Sequence, residues 1–330
     1  MSSNVTPGQG TIDVHAHFLP PVYRQALQDA GLATLDGGIP VPQWTPERAL
    51  RVMDELGIAG AMLSVSSPMV GFLESAAAVA LCRAVNDYAA ELKQRHPQRF
   101  GAYAILPLAD IAASLTEMER ALHELQLDGV ALPTHVAGRY LGDPYLSALF
   151  EALDAHGTTV FIHPTSPDCF ASLGLGLPAP MIEFPFDTTR TATSLLYSGT
   201  LARHRRIRFI LPHGGGTLPF LAPRIAAIGS LPVLGDRALP EAQALAAFAD
   251  LFYDTAFATA PAQFAALRAL APITQVVYGS DYPFAPEARV RAAEAAFDAL
   301  PLTPDEKALV RQGNAARLFP VFAQRCCGHA

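Results

Sequence analysis

Asp13-Val14-His15-Ala16-His17 lies in the first apolar run of the chain, which extends from Thr11 to Phe18. Successive side chains of a β-strand point to opposite faces, so His15 and His17 share one face. Two imidazoles that point the same way from a strand end can hold a divalent metal ion. Two solvated histidines after a strand explain a lone His-X-His motif equally well. The later strands therefore decide between the two interpretations.

The composition indicates a folded protein with a large core. Of the 330 residues, 51% are hydrophobic and 16% are charged, and the net charge is −7. The one basic cluster, residues 203–206, is short, so nucleic-acid binding has little support. No apolar run reaches membrane-spanning length, and residues 1–10 lack the apolar core of an export signal. The four cysteines show no framework spacing. We therefore expect a cytoplasmic protein without a nucleic-acid or membrane partner.

Short apolar runs alternate with longer segments of helical spacing along the chain. This alternation predicts parallel strands joined by crossover helices. The eight predicted strands are residues 11–18, 61–66, 100–106, 129–133, 159–163, 207–212, 251–255 and 274–278. The predicted helices are residues 46–57, 74–95, 110–125, 144–156, 187–201, 218–228, 261–270, 286–299 and 304–318.

Eight strand–helix units in a row predict an α/β protein with a (β/α)8 TIM barrel. We expect loop insertions at residues 19–44 and 164–185, an extra C-terminal helix at residues 304–318, and a single domain over residues 1–330. A doubly wound open sheet is the alternative, but it calls for a glycine-rich phosphate loop after the first strand. In a barrel, active-site residues lie at the C-terminal ends of the strands.

Three later strands each deliver one ionisable residue at this end. The fifth ends in His163-Pro164, the sixth in His213-Gly214-Gly215-Gly216, and the eighth in Gly279-Ser280-Asp281. Three histidines and a carboxylate suit a borderline divalent ion and leave a position open to water or substrate. An additional histidine can move protons near neutral pH. We therefore assign the proton-transfer role to His213, and the predicted metal ligands are His15, His17, His163 and Asp281.

The fourth strand favours one metal ion over two. Two-metal barrel sites commonly use a carbamylated lysine at the end of strand four. Here that strand ends in Ala131-Leu132-Pro133-Thr134-His135, and the only lysines of the chain are Lys93 and Lys307.

Four motifs occur in order along nearly the whole chain: Asp-Val-His-Ala-His, His-Pro, His-Gly-Gly-Gly and Gly-Ser-Asp-Tyr-Pro-Phe. Together they resemble the amidohydrolase superfamily, in particular its aminocarboxymuconate-semialdehyde decarboxylase-like branch. The resemblance implies a barrel with one Zn2+, or sometimes Mn2+, and non-oxidative decarboxylation of an aromatic or unsaturated carboxylic acid. It matches His15, His17, His163 and Asp281 to the metal ligands and His213 to the catalytic histidine, with Asp281 as an alternative proton donor. Because a minority of relatives hydrolyse lactones, a metal-dependent lactone or ester hydrolase is the alternative function.

The resemblance also implies a homodimer. Arg224, eleven residues after His213, matches an arginine that reaches the partner's site to hold a substrate carboxylate. A helix-surface arginine is the other interpretation of Arg224. The resemblance places the family's first substrate arginine at about residue 49, which is Ala49 in this chain. The lack of an arginine there argues against a dicarboxylate substrate and favours an aromatic monoacid such as a hydroxybenzoate or a methylsalicylate.

The remaining substrate contacts are predicted from side chains near the mouth. Arg190 is predicted to supply one anion contact. The aromatic walls are predicted to come from Phe184, Phe186, Trp44 and Phe284. Core packing is the alternative interpretation of Phe184 and Phe186.

Overall fold

The computed structural model describes residues 10–173 and 175–328. Its strands are β1 Thr11–His17, β2 Ile58–Ser64, β3 Phe100–Ala104, β4 Gly129–Pro133, β5 His135–Val136, β6 Arg139–Tyr140, β7 Thr159–His163, β8 Arg208–Leu211, β9 Phe252–Asp254 and β10 Val276–Val277. Strands β5 and β6 form a small antiparallel hairpin. The other eight form one sheet in the order β1-β2-β3-β4-β7-β8-β9-β10, with parallel neighbours throughout. The predicted (β/α)8 barrel is confirmed.

Helices connect and surround these strands. They are α1 Pro21–Asp29, α2 Pro46–Leu56, α3 Ser75–Arg95, α4 Ile111–Glu119, α5 Ser147–His156, α6 Phe170–Leu173, α7 Glu183–Tyr197, α8 Thr200–Arg203, α9 Leu218–Gly229, α10 Glu241–Ala249, α11 Pro261–Leu270, α12 Glu287–Asp298, α13 Pro304–Ala308, α14 Asn314–Leu318 and α15 Pro320–Cys327. Single π-helical turns extend α4 and join α13 to α14. At α2 the predicted start signal is present, because the Thr45 side chain accepts a hydrogen bond from the amide of Arg48.

The barrel closes between β1 and the segment that runs through and beyond β10. Val14 donates its amide hydrogen to the carbonyl of Tyr278, and His17 donates to Tyr282, at 2.9 and 2.7 Å. In the opposite direction, the amide of Asp281 donates to the carbonyl of His15 at 2.7 Å. The register of β1 against β2 shifts between Asp13 and Ala16. Such irregularities re-aim side chains and are common beside active sites.

Apolar side chains fill the barrel, and α15 closes the end opposite the mouth. Phe322 of α15 packs against Gly60 and Gly101, which lie near the starts of β2 and β3. A Cβ atom at Gly60 would lie only 2.6 Å from the Phe322 ring, so a larger residue there would displace the helix. Phe319 packs edge-on against Tyr103 inside the barrel.

Several elements differ from the sequence predictions. Helix α7 begins at Glu183 rather than at residue 187, because the first turn of a helix has no internal amide bonds that Pro185 would break. Helix α1 forms within the predicted insertion at residues 19–44, and α10 forms within residues 229–250, where no element was predicted. The predicted eighth strand, residues 274–278, is reduced to β10 because Ile273–Gln275 forms a 3-10 turn. The predicted C-terminal helix is divided into α13 and α14, and α15 follows it.

Among the described residues, no single helix has the length and hydropathy to cross a membrane. One strongly bent pair, Leu218–Gly229 with Pro232–Ala249, satisfies those two criteria jointly. The single domain over residues 1–330 and the cytoplasmic location stay predictions. Most of the segment tested for an export signal, residues 1–10, lies outside the described residues.

Removing the Tyr103 hydroxyl tests the barrel interior. This buried hydroxyl donates to the carbonyl of Val14 at 3.0 Å. We expect Tyr103→Phe to lower the free energy of unfolding by about 1–2 kcal/mol, because a buried carbonyl loses its side-chain partner. Tyr145→Phe is the matched control, since the Tyr145 hydroxyl makes an exposed bond to the carbonyl of Ala109 and its loss should cost less than about 0.5 kcal/mol. Equal shifts of the two urea midpoints would contradict the expectation.

Candidate active site

Four side chains from three strand ends converge at the barrel mouth. One potential ligand atom from each of His15, His17, His163 and Asp281 lies within 4.8 Å of all the others. The Nε2 atoms of His15 and His17 are 3.0 Å apart, and Oδ1 of Asp281 lies 3.3 and 3.0 Å from them. All four residues are buried. The structure thus brings together the four residues predicted as metal ligands, although their metal-binding role stays a prediction.

Each imidazole is oriented by a hydrogen bond at its other nitrogen. Nδ1 of His15 contacts Oδ2 of Asp254 at 2.7 Å, Nδ1 of His17 contacts the carbonyl of Ser64 at 3.2 Å, and Nδ1 of His163 contacts that of Pro164 at 2.8 Å. A ring that donates from Nδ1 presents Nε2 to a metal ion, and such outer partners are typical of metal-bound histidines.

Oδ1 of Asp281 supplies a second test of fit. It is buried and accepts no hydrogen bond among the described residues, although two imidazole nitrogens lie close to it. A buried carboxylate oxygen without a partner is costly unless a cation balances it. Three nitrogens and one oxygen around one point match the donor set of Zn2+ and related divalent ions.

The charges of the cluster also favour a cation. Burial lowers the pKa of His15, but the carboxylates of Asp254 and Asp281 outweigh this effect and raise it to about 10. Burial raises the pKa of Asp281, yet His15, His17 and His213 hold it well below its usual value. Burial keeps the pKa of His163 well below its usual value, so this ring remains neutral. The centre therefore combines an ionised carboxylate, a neutral imidazole and a position that attracts positive charge.

His213 stands beside this cluster rather than within it. Its Nε2 lies 3.6 Å from Oδ2 of Asp281, the oxygen that does not face His15 and His17. Its backbone has a left-handed φ of 55°, and its amide donates to Oδ1 of Asp254 at 2.8 Å. The following Gly216 allows close packing, because a Cβ atom there would lie 2.2 Å from the carbonyl oxygen of Pro185. The structure thus places His213 next to the candidate ligands, and its separate proton-transfer role stays a prediction.

Asp254 is a site residue that the sequence analysis did not single out. One of its oxygens contacts His15, and the other accepts from the amides of His213 and Ala256. It is fully buried at the end of β9. The available signal was an ionisable residue at the end of the predicted seventh strand, the same signal that identified His163, His213 and Asp281. Asp254 links a candidate metal ligand to the backbone of the candidate proton carrier.

A cavity of about 770 Å3 opens onto His163, His213 and Asp281. Phe184, Phe186 and Phe284, the residues proposed for the aromatic walls, line it together with Phe257, and their contact with a substrate stays a prediction. The Phe284 ring lies 5.1 Å from that of His17, and the Phe184 ring lies 6.1 Å from that of His163. Both insertions contribute to the walls, through Leu35, Asp36, Ile39, Pro178, Pro180, Met181 and Ile182.

The other predicted contacts lie outside this lining. Trp44 is buried in the core and packs against Phe18, and the centroids of the two rings are 6.2 Å apart. Arg190 lies on α7, half-exposed, with its guanidinium 3.7 Å from the buried carboxylate of Asp187. Arg224 is exposed on α9. Within one chain, neither arginine lines the cavity; Arg289 on α12 does.

A second group of possible ligands lies away from the strand ends. Glu119, His123 and His156 come together on α4, its π-helical extension and α5. All three carry solvent-accessible side chains, and they already contact one another at 2.8 to 3.3 Å. None of the three lines the cavity described above.

Comparisons with known proteins agree with this fold. The chain is 37% identical over 314 residues to a 6-methylsalicylic acid decarboxylase of Penicillium expansum, covering 94% of this chain and 96% of that protein. A crystal structure of an amidohydrolase II superposes with a TM-score of 0.88 at 31% identity, over 94% of this chain and all of that one. A dihydroxybenzoic acid decarboxylase from Polaromonas, solved with manganese and the inhibitor 2-nitroresorcinol, shares the fold at 22% identity with a TM-score of 0.81, over 95% and 97% of the two chains.

The amidohydrolase family profile matches residues 12–321, which span every barrel strand except the first residue of β1. This range also includes all four residues of the buried cluster and His213. The chain therefore belongs to the amidohydrolase family.

Proposed function

We propose that this protein is a metal-dependent, non-oxidative decarboxylase of an aromatic carboxylic acid of the hydroxybenzoate or methylsalicylate type. The observation that carries the proposal is the buried cluster of three histidines and Asp281 at the inner end of an aromatic-walled cavity. The similarity to a 6-methylsalicylic acid decarboxylase over nearly the full length of both chains supports the same chemistry.

His15, His17, His163 and Asp281 would hold one divalent ion, Zn2+ or Mn2+. An ion held by these residues would supply Lewis-acid polarisation. Zn2+ fits the three imidazoles. Mn2+ is the ion found in the dihydroxybenzoic acid decarboxylase of the same fold.

The chain's own residues supply the proton that decarboxylation consumes. The ring carbon that bears the carboxylate must take up a proton before CO2 can leave without a free carbanion. His213 and Asp281 both line the cavity, with Nε2 and Oδ2 3.6 Å apart, so the pair can hold this proton next to the substrate. The bond to hydrogen forms, the bond to the carboxylate carbon breaks, and its electron pair remains on the ring. Phe184, Phe257 and Phe284 hold the ring and exclude water.

The ligand set is tested by metal content. We expect purified protein to contain one equivalent of Zn2+ or Mn2+, and His17→Ala to retain less than about a tenth of it, because a three-ligand remnant binds far more weakly. His96→Ala is the control, since His96 follows α3 and packs against Phe100 away from the mouth. Inductively coupled plasma mass spectrometry measures both. Full metal occupancy in His17→Ala would refute the assignment.

Isotope incorporation tests the reaction. In D2O, turnover of a hydroxybenzoate should release CO2 and place one deuterium on the vacated ring carbon.

We expect His213→Asn to lower kcat at least about 100-fold while metal content is unchanged, as for loss of a proton-transfer group. Absence of CO2 release across a panel of hydroxybenzoates and methylsalicylates, together with hydrolysis of lactones, would replace the decarboxylase with a hydrolase.

We propose further that the protein is a homodimer that uses the face around α9. Phe220 and Val233 are 82% and 81% exposed, and Ile228 and Leu231 are also exposed on this side. Exposed apolar patches of this kind mark protein interfaces. Arg224 is on the same helix, so a partner that covers this face would meet it. The arginine is thereby available to a neighbouring site.

Light scattering after size-exclusion chromatography tests the dimer. We expect twice the chain mass of 35.1 kDa, and Phe220→Asp should yield the monomer. Val321→Asp, which changes an exposed valine on α15, should remain dimeric.

If Arg224 acts in the partner's site, mixing inactive Arg224→Ala with inactive His213→Asn should restore about a quarter of wild-type activity. Half of the dimers are then mixed, and each mixed dimer has one complete site out of two. No recovery in mixed dimers would place Arg224 outside the partner's site.

A further inference from the structure

Arg289 is the only arginine or lysine among the described residues that line the cavity. It lies on α12, exposed at the surface. Neighbouring arginines are neutralised: Arg291 pairs with Glu55, and Arg48 and Arg51 share Glu287. By contrast, Arg289 forms no ion pair in the part of the chain that the structure describes. Its positive charge is therefore available to a molecule in the cavity.

Phe257 connects this charge to the candidate proton carrier. The guanidinium carbon of Arg289 lies over the Phe257 ring, 5.3 Å from its centroid. The same ring lies 6.1 Å from the imidazole of His213. The backbone of Phe257 has a left-handed φ of 50°, and the next residue is held by a hydrogen bond from the Ala258 amide to Thr255. Arg289 is thus one phenyl ring away from His213.

Asp36, the acidic residue of the cavity lining outside the buried cluster, does not neutralise Arg289. One oxygen of Asp36 accepts hydrogen bonds from the hydroxyls of Ser67 and Thr165 and from the amide of Ser166, at 2.6 to 2.8 Å. This carboxylate is satisfied by neutral donors. The cavity therefore has a buried inner end formed by His163, His213 and Asp281, aromatic walls, and an exposed edge that includes Arg289 and Gln263.

We propose that Arg289 determines substrate specificity by binding an oxygen substituent on the ring edge opposite the carboxylate. The assignment rests on the proposed function, which places the carboxylate at the inner end. A guanidinium donates several hydrogen bonds in one plane and suits a phenolate, hydroxyl or carboxylate oxygen. The substrate class is then an aromatic hydroxy acid with a second oxygen para to its carboxylate.

A general attraction of acids to a basic mouth is a different effect. Long-range steering acts on every anionic ligand alike and weakens with salt. A direct contact discriminates between ligands that differ only at the distal position. The test therefore compares two such ligands.

Nitro analogues provide this comparison without turnover, because a nitro group in place of the carboxylate cannot leave as CO2. 2-Nitrophenol and 4-nitroresorcinol differ only in a hydroxyl para to the nitro group. Isothermal titration calorimetry of the metal-loaded protein should show 4-nitroresorcinol binding about tenfold more tightly, as for a hydrogen bond to a charged group. Arg289→Ala should remove this preference, and Arg289→Lys should retain part of it. Arg291→Ala, two residues along α12, should leave it unchanged.

The outcomes separate the two proposals. The role of Arg289 would be overturned if Arg289→Ala left the ratio of the two dissociation constants unchanged, for example by weakening both ligands equally. It would also be overturned if the wild type bound neither ligand or showed no preference between them. If Arg289→Ala loses the preference for 4-nitroresorcinol while the wild type decarboxylates no aromatic acid, the proposed reaction is wrong and the proposed contact of Arg289 is supported. Decarboxylation without any distal preference leaves the reaction in place and removes Arg289 from specificity.

Discussion

The hydrogen bonds that close the barrel determine the geometry of the whole mouth. Asp281 donates its amide to His15, and the next residue, Tyr282, accepts from His17. Residues more than 260 positions apart in the chain thereby become neighbours with side chains aimed at one point. Gly279 permits this approach, because a Cβ atom there would lie 2.8 Å from Cβ of His15 and 2.9 Å from Cβ of Asp254. The hydrogen bonds that close the barrel therefore also bring His15, His17 and Asp281 together.

Asp13 and Asp254 reinforce this seam from inside. Asp13 accepts hydrogen bonds from the amides of His15 and Ser280, one on each side of the closure. Burial raises its pKa to about 7 even though these donors oppose the shift. Asp254 extends the connection from His15 to the backbone of His213. Asp13 and Asp254 thus connect His15 to the backbone of Ser280 and to that of His213, the candidate proton carrier.

The sequence was sufficient for the barrel and for the cluster because both follow from strand ends. In a parallel barrel, an ionisable residue at the C-terminal end of a buried strand lies at the mouth, and His163 and Asp281 are placed there. Arg190 follows no strand; it lies on α7, where its guanidinium is beside Asp187 instead of in the cavity. Phe257 and Arg289 carried no such signal. A loop residue with a left-handed backbone and a residue on an outer helix meet only through tertiary packing.

The division between strand ends and other segments also separates chemistry from recognition. The inner end of the cavity belongs to the barrel, and its groups are oriented by backbone and carboxylate partners. The outer walls belong to the two insertions and to α12, and Asp36 joins the first insertion to the second by accepting from Thr165 and Ser166. Under the proposed function, changes in these outer segments would alter which ring fits without moving the cluster. A cationic residue at that outer edge can therefore select among aromatic acids, while the chemistry at the inner end stays the same.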